Sequence, residues 1–367
     1  MSSLKAYLIF LNIVLCFHVI TSHTCHSFKN VTVLLHQKSG DPFNKTVNGC
    51  IERIEFNEKN VVTEAYIRNQ SLPTLGRESV RNMVKLKTLV FWGCNIVNVE
   101  SGAFRNLPRL KNLQISYGNL KEISRDVFHA APTLELLRIH NNEIDIIADQ
   151  ALANLPGLKK IYAGNNMLEY WNREWFTNST SLEIMDFQFN KIRTLPRRAF
   201  ENLQNLKQIF FDYNEISNIH DNAFIGLKNL DYLGLRFNRL VSINENIFPS
   251  SLKIRSLLLD ANYLNYLSNE LLNKISVSEL TLDGNPWKCP CLDRIHFWLH
   301  SSNGTLNKAD SCTGSSIPDC AISKTYSTTC LETVDSDLTK KYIKSLRGLS
   351  KPLDKYCART DYILIAV

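Results

Sequence analysis

Beyond its first two dozen residues, this 367-residue chain has no apolar run long enough to span a bilayer, and the terminal Tyr362-Ile-Leu-Ile-Ala-Val is far too short. It has no G-x-S-x-G, no H-E-x-x-H and no phosphate loop, so the common hydrolase, metalloprotease and nucleotide-binding signatures are missing. Its nine histidines are scattered, and no pair has metal-ligand spacing with a nearby thiol. There is no Lys/Arg block, and a net charge of +7 is modest for the length, so no nucleic-acid or membrane stripe is expected. Sustained heptads are lacking after residue 330, where the tail offers one short amphipathic stretch, Asp337 to Leu349. With no convergent set of reactive groups, the chain reads as a non-enzyme without cofactor or metal. The 44% apolar content is ordinary for a folded protein.

What is present begins at the N-terminus. Lys5 precedes an apolar run from Ala6 to Ile20, followed by the small residues Thr21 and Ser22. That pattern reads as a secretory signal peptide over residues 1–22, which makes the chain secreted and extracellular. Removing Cys16 with it leaves nine cysteines, Cys25, Cys50, Cys94, Cys289, Cys291, Cys312, Cys320, Cys330 and Cys357, in a compartment that permits disulfides. Five Asn-X-Ser/Thr sequons, at Asn30, Asn44, Asn69, Asn178 and Asn303, fit a glycoprotein of the same compartment.

The middle of the chain is a repeat. On the template L-x-x-L-x-L-x-x-N-x-L, residues Leu134, Leu137, Ile139, Asn142 and Ile144 make one copy, and Leu158, Ile161, Ala163, Asn166 and Leu168 make another 24 residues later. Further copies start at Leu182, Leu206, Leu230 and Ile254, with asparagine at Asn190, Asn214, Asn238 and Asn262. Earlier copies start at Val62, Leu86 and Leu110 and place Gln70, Cys94 and Gly118 in the asparagine slot. A last copy, from Val277 to Asn285, is one residue short, which makes about ten in all.

Each copy predicts a short strand with its apolar residues inward, and successive strands stack into one parallel sheet. The slot asparagines should turn inward and pair backbone groups as a ladder. Phe104, Phe128, Phe176, Phe200, Phe224 and Phe248, at spacings of 24 or 48, should form an aromatic spine on the opposite side. Because repeats bury their apolar faces only against neighbours, both ends need covers. Residues 23–61 read as the N-terminal cap, in which Val31–Leu35 and Ile51–Phe56 suggest a hairpin closed by Cys25 and Cys50. Residues 62–285 are the repeats, 286–330 a cysteine-rich C-terminal cap and 331–367 a tail.

The 24-residue repeat followed by Asn285-Pro-Trp-Lys-Cys-Pro-Cys, a Trp298-Leu299 pair and later cysteines resembles the extracellular leucine-rich-repeat proteins, among them Toll-type ectodomains, Slit and secreted insect immune proteins. The resemblance implies an α/β solenoid, a right-handed horseshoe with a parallel concave sheet and disulfide-stapled caps. It also implies that Cys289 and Cys291 pair with Cys312 and Cys330, in an order left open. Cys94 in the inward slot then reads as a buried free thiol. Cys320 and Cys357 remain as a pair holding the tail, unless Cys357 bonds a second chain.

The resemblance further implies binding rather than catalysis. The outward positions of the strands supply Tyr66, Trp92, Tyr117, Tyr162, Phe189, Phe210, Tyr213, Tyr232 and Phe237, together with Arg138, Lys159, Lys160, Asp186 and Asp212. Aromatic residues there suit a ligand surface, since each buries a large area with few rotors to freeze. By formal charge the outward positions are basic in the first five repeats and acidic in the last five, where Asp212 and Asp260 are counted among seven acids. The expected partner is an extracellular protein or glycan, in innate immunity or cell-surface signalling. A structural subunit joined into a homo- or heterodimer through its edges, tail or Cys357 is the alternative.

Overall fold

The computed structural model describes residues 27–52, 61–307, 316–323 and 327–347, and the backbone of a further strand at 358–365. The expected signal peptide, Cys25, Cys312 and Cys357 lie outside the described residues.

One 13-stranded sheet runs the length of the molecule. Its strands are β1 (Phe28–Gln37), β2 (Phe43–Gly49), β3 (Val62–Arg68), β4 (Thr88–Trp92), β5 (Asn112–Ser116), β6 (Leu136–Arg138), β7 (Lys160–Tyr162), β8 (Ile184–Asp186), β9 (Gln208–Phe210), β10 (Asn229–Gly234), β11 (Lys253–Leu258), β12 (Ser276–Thr281) and β13 (Thr305–Leu306). From β3 onward every neighbour is the next in sequence and parallel, in the 24-residue register of the repeat as far as β11, with steps of 23 residues to β12 and 26 to β13. The chain is thus a parallel β-solenoid of about ten turns. Alternation does the sorting: in β7, Lys160 is exposed, Ile161 buried and Tyr162 half-buried.

The template leucines form one continuous core with the phenylalanine spine, in which Phe104, Phe128, Phe176, Phe200, Phe224 and Phe248 are all buried. Rings in adjacent turns touch, with Phe200 and Phe224 5.2 Å apart and Phe224 and Phe248 5.0 Å apart. Leu152 fills the 48-residue gap in the spine. At mid-length the core is reinforced by two buried tryptophans whose indole N–H groups are satisfied. Trp171 Nε1 donates to the Ala199 carbonyl and Trp175 Nε1 to that of Ile147.

The asparagine ladder is present from Asn142 to Asn285. In a typical rung, Asn190 Nδ2 donates to the carbonyls of Ala163 and Phe187, while its Oδ1 accepts from the Leu168 N–H. Each rung therefore ties its own turn to the preceding one. The non-asparagine slots differ among themselves. Gln70 reaches past the first turn and pairs both backbone groups of Thr32, joining the N-terminal cap to the repeats. Cys94 is a buried free thiol whose Sγ lies 3.7 Å from the Ile67 carbonyl. Gly118 admits no side chain, because a Cβ there would stand 2.6 Å from the Cys94 carbonyl oxygen.

The N-terminal cap departs from expectation in one respect. A hairpin is present, but β1 pairs with β2 rather than with the Ile51–Phe56 stretch. Gly49, at φ 101°, turns the chain off the sheet, and Ile51–Glu52 pairs in parallel with Val80–Arg81 on another side of the solenoid. Cys50 is disulfide-bonded, and Cys25, its expected partner, lies outside the described residues.

At the other end, the C-terminal cap pairs Cys289 with Cys320 and Cys291 with Cys330. This corrects two expectations: neither Cys289 nor Cys291 pairs with Cys312, and Cys320 is not available to Cys357. The reason is local. Helix α2 (Cys289–Ser301) follows α1 (Asn269–Lys274), and the strand β14 (Ser316–Ile322) runs past the start of α2. The Ala321 N–H donates to the Trp287 carbonyl there, which sets Cys320 beside Cys289 with a Cα separation of 4.9 Å. The amphipathic tail stretch forms α3 (Ser336–Arg347), capped by Asp335 and docked through buried Leu338 and Tyr342. Among the described residues no helix is long and apolar enough to cross a membrane.

Candidate ligand-binding face

The outward face of the sheet is built from aligned residue columns, so each turn contributes the same positions. One column runs Glu64, Thr88, Asn112, Leu136, Lys160, Ile184, Gln208, Tyr232, and the next runs Tyr66, Val90, Gln114, Arg138, Tyr162, Asp186, Phe210, Gly234. Of the nine expected aromatic residues, Trp92, Tyr117 and Phe189 are exposed and the other six are half-buried, so none belongs to the core. Lys159 and Lys160 are exposed, and Arg138 and Asp186 are half-buried.

Two ring stacks stand out in the C-terminal half. Phe189, Tyr213 and Phe237 lie in one column with centroids 4.2 and 4.3 Å apart and planes within 11° and 6° of parallel. Phe210 and Tyr232 stack beside them at 4.4 Å. The first column has a cost that sequence alone did not reveal. Its residues take left-handed backbone, with φ of 53°, 56° and 54° at Phe189, Tyr213 and Phe237. Elsewhere the same column uses Asn69, Gly93, Asn141, Asn165 and Gly284, residues that accept this conformation readily, but also Tyr117 and Ala261, at φ of 57° and 49°. Holding an aromatic residue there costs on the order of 1 kcal/mol, offset by the stacking it permits. In the N-terminal half the rings are looser, with Trp92 and Tyr117 tilted at 5.3 Å and Tyr117 edge-on to His140 at 5.4 Å.

Asp212 is misplaced in the sequence reading. It is buried, not a surface ligand group, because Gly234 in the next turn has no side chain and the carboxylate fills that space. A Cβ at Gly234 would meet its oxygens at 2.5 Å. The Tyr232 hydroxyl donates to Asp212 Oδ2 at 3.2 Å, the Arg236 N–H to Oδ1 at 3.0 Å, and Arg236 Nε stands 3.6 Å away. Asp260, two turns beyond in the same column, is also buried, accepting from the Thr281 hydroxyl and from the Asp283 N–H. Burial pushes the Asp212 carboxyl up to about 6 against the pull of Arg236, and that of Asp260 to about 7. Burial together with the neighbouring Arg138 charge lowers His140. The five sequon asparagines are all exposed, which meets the steric need of a glycan acceptor.

The family described as leucine rich repeat matches residues 84–144, 108–168, 132–192 and 180–240. Leucine-rich repeats therefore occupy residues 84–240 of the chain. A 69-residue stretch is 41% identical to the mouse leucine-rich repeat-containing protein 19, covering 17% of this chain and 19% of that one. Among solved structures, Toll in the Toll–Spatzle complex of Drosophila is similar over 64% of this chain and 32% of its own, with 19% identity and a TM-score of 0.55. The TLR13–ssRNA13 complex is similar over 59% of this chain and 32% of that chain, with 23% identity and a TM-score of 0.52. The chain thus spans about a third or less of the length of these relatives, and the structural likeness concerns the fold.

Proposed function

We propose that this leucine-rich-repeat protein is a secreted, N-glycosylated recognition protein that binds a protein ligand on the outward face of its long sheet, in innate immunity or cell-surface signalling. The observation that carries this reading is the pair of ring stacks, partly exposed on a rigid sheet and one of them held at a backbone cost, which is how binding hot spots are built. Disulfides at the cap and the five exposed sequons support the secretory compartment. Toll is named in complex with Spatzle, a protein, and TLR13 with a single-stranded RNA. For this chain the absence of a Lys/Arg block favours the protein.

The test has two arms. Expressed in secretory eukaryotic cells, the chain should reach the medium and lose mass on glycosidase treatment. The purified protein should then be screened against an array of extracellular proteins, beside a Phe210→Ser/Tyr232→Ser variant. A partner retained by the wild type and lost by the variant supports the face. Partners unaffected by the variant would remove it.

A further inference from the structure

Sorting the outward charges by what already satisfies them leaves an unbalanced set. On the acidic side Asp212 and Asp260 are buried, and Glu135, Glu183 and Glu279 are held by Lys111, Lys207 and Arg255. On the basic side Lys87, Lys159 and Lys160 are exposed and make no ion pair among the described residues, and Arg68 and Arg138 lie over the rings of Tyr66 and Tyr162 at 5.1 and 5.5 Å. Four of the seven acids counted in the C-terminal half are thus satisfied within the protein, Asp186 and Asp283 are half-buried, and Asp231 is exposed. The basic charge of the N-terminal half remains available to a partner, and the ring stacks follow it along the same face.

We infer that this face takes an extended polypeptide segment in which a run of Asp or Glu is followed by an aromatic or large aliphatic anchor. The inference rests on the recognition reading above and names its partner. Lys160 and Tyr232 occupy the same column three strands apart. At about 4.8 Å per strand the separation is roughly 15 Å. An extended chain spans that distance in about four or five residues. A sulfated glycan would meet the lysines as well, but it gains little from the stacks. The faces of Tyr213 are covered by Phe189 and Phe237, so this ridge offers mainly ring edges, which suit carbonyl oxygens and the faces of other rings better than sugar rings.

The experiment is selection of a random 16-residue peptide display library on the full chain, followed by anisotropy measurements with the enriched peptides. Enrichment of an acidic block followed, four or five residues on, by an aromatic or Leu/Ile/Met anchor is expected. Lys159→Glu/Lys160→Glu should weaken such a peptide at least tenfold at 50 mM salt and far less at 0.5 M, where the Debye length is roughly 4–5 Å. Tyr213→Ala/Phe237→Ala should weaken it at both salts. Failure to enrich any peptide, enrichment without the acidic block, or binding to either variant as tight as to wild type at 50 mM salt overturns the inference, as does binding of a heparin oligosaccharide where no peptide binds. Peptides that lack the acidic block yet are lost on Phe210→Ser/Tyr232→Ser overturn this inference alone. Acidic peptides indifferent to every substitution on the face overturn the face itself.

Discussion

The turns from Asn142 to Asn285 and the three turns before them obey one sequence template, yet they are held together differently. In the later turns an asparagine amide bridges two turns and no neighbouring side chain is needed. In the earlier turns the same work is divided. At position 94 a thiol approaches the Ile67 carbonyl, and the acceptor half passes to the next residue, since Asn95 Oδ1 takes the Leu72 N–H at 2.7 Å. At 118 the turns approach so closely that only glycine fits. At 70 a longer amide leaves the ladder altogether and fastens the cap. The template thus specifies a shape, with the hydrogen bonds supplied by whichever nearby group reaches them.

The largest expected effect is at the end of the ladder, where the last rung meets the cap. Cys291→Ser removes the Cys291–Cys330 disulfide and should lower stability by about 2–5 kcal/mol, with secreted yield falling to near zero. Cys94→Ala, in the irregular turns, should secrete normally. Secretion blocked by Cys94→Ala but not by Cys291→Ser would reverse the roles assigned to the two cysteines.

Next comes a rung within the regular region. Asn190→Leu strands the carbonyls of Ala163 and Phe187 and the Leu168 N–H, all buried, at a cost of about 3 kcal/mol. Asn178→Gln removes an exposed sequon and one hydrogen bond to Asn154 at a residue of φ 60°, and should cost no more than about 1 kcal/mol. Equal melting temperatures would mean that the ladder does not bear on stability.

These contrasts show what was readable in the chain and what was not. The strand register, the spine and the ladder follow from a period, and a period is visible in one dimension. Asp212 looked like a surface acid because its own repeat places it outward. Its burial depends on a missing side chain at Gly234, 22 residues on, a glycine within a strand that could have flagged the close approach. The cap disulfides depend on where β14 passes α2, which no spacing of cysteines encodes. The hairpin partner of β1 differs from expectation because β2 buries only Val47 and shows little apolar alternation, whereas the apolar Ile51 belongs to a different side of the solenoid. For the binding face, the aromatic residues were legible as outward positions. Their pairing into stacks, and the left-handed backbone beneath one of them, were not.

A third prediction probes the acids in the regular half by pH. Because folding raises the Asp260 carboxyl to about 7, the folded state holds its proton more tightly than the unfolded one between roughly pH 4 and 7. Stability should therefore rise as pH falls through 7, by on the order of 2 kcal/mol between pH 7.5 and 5. His140, lowered by folding, works in the opposite sense below its ordinary value. The difference between wild type and Asp260→Asn isolates the carboxyl: the variant should lose most of the rise seen in denaturant melts. Parallel pH profiles for the two proteins would refute the assignment.

The smallest effect is the most direct test of the comparison itself. If the irregular turns differ from the regular ones only in which group reaches the backbone, Cys94→Asn should convert one into the other. In the regular rungs the amide donates to carbonyls 27 and 3 residues earlier, as Asn142 does to Ile115 and Ile139. At 94 those are Ile67, already faced by the thiol, and Phe91. Asparagine exchanges a weak S–H donor for two N–H donors, and a gain of about 1 kcal/mol is expected from one added buried hydrogen bond. Opposing this, the Leu72 N–H is already taken by Asn95, so the new Oδ1 would compete with an existing acceptor. The two acceptors can be separated: Cys94→Asn alone should gain little, and Cys94→Asn/Asn95→Ala should retain wild-type stability where Asn95→Ala alone loses about 1 kcal/mol. Denaturant melts of the three variants measure the coupling. Strict additivity would mean that positions 94 and 95 do not share one rung, and that the first turns are held by something other than a divided ladder.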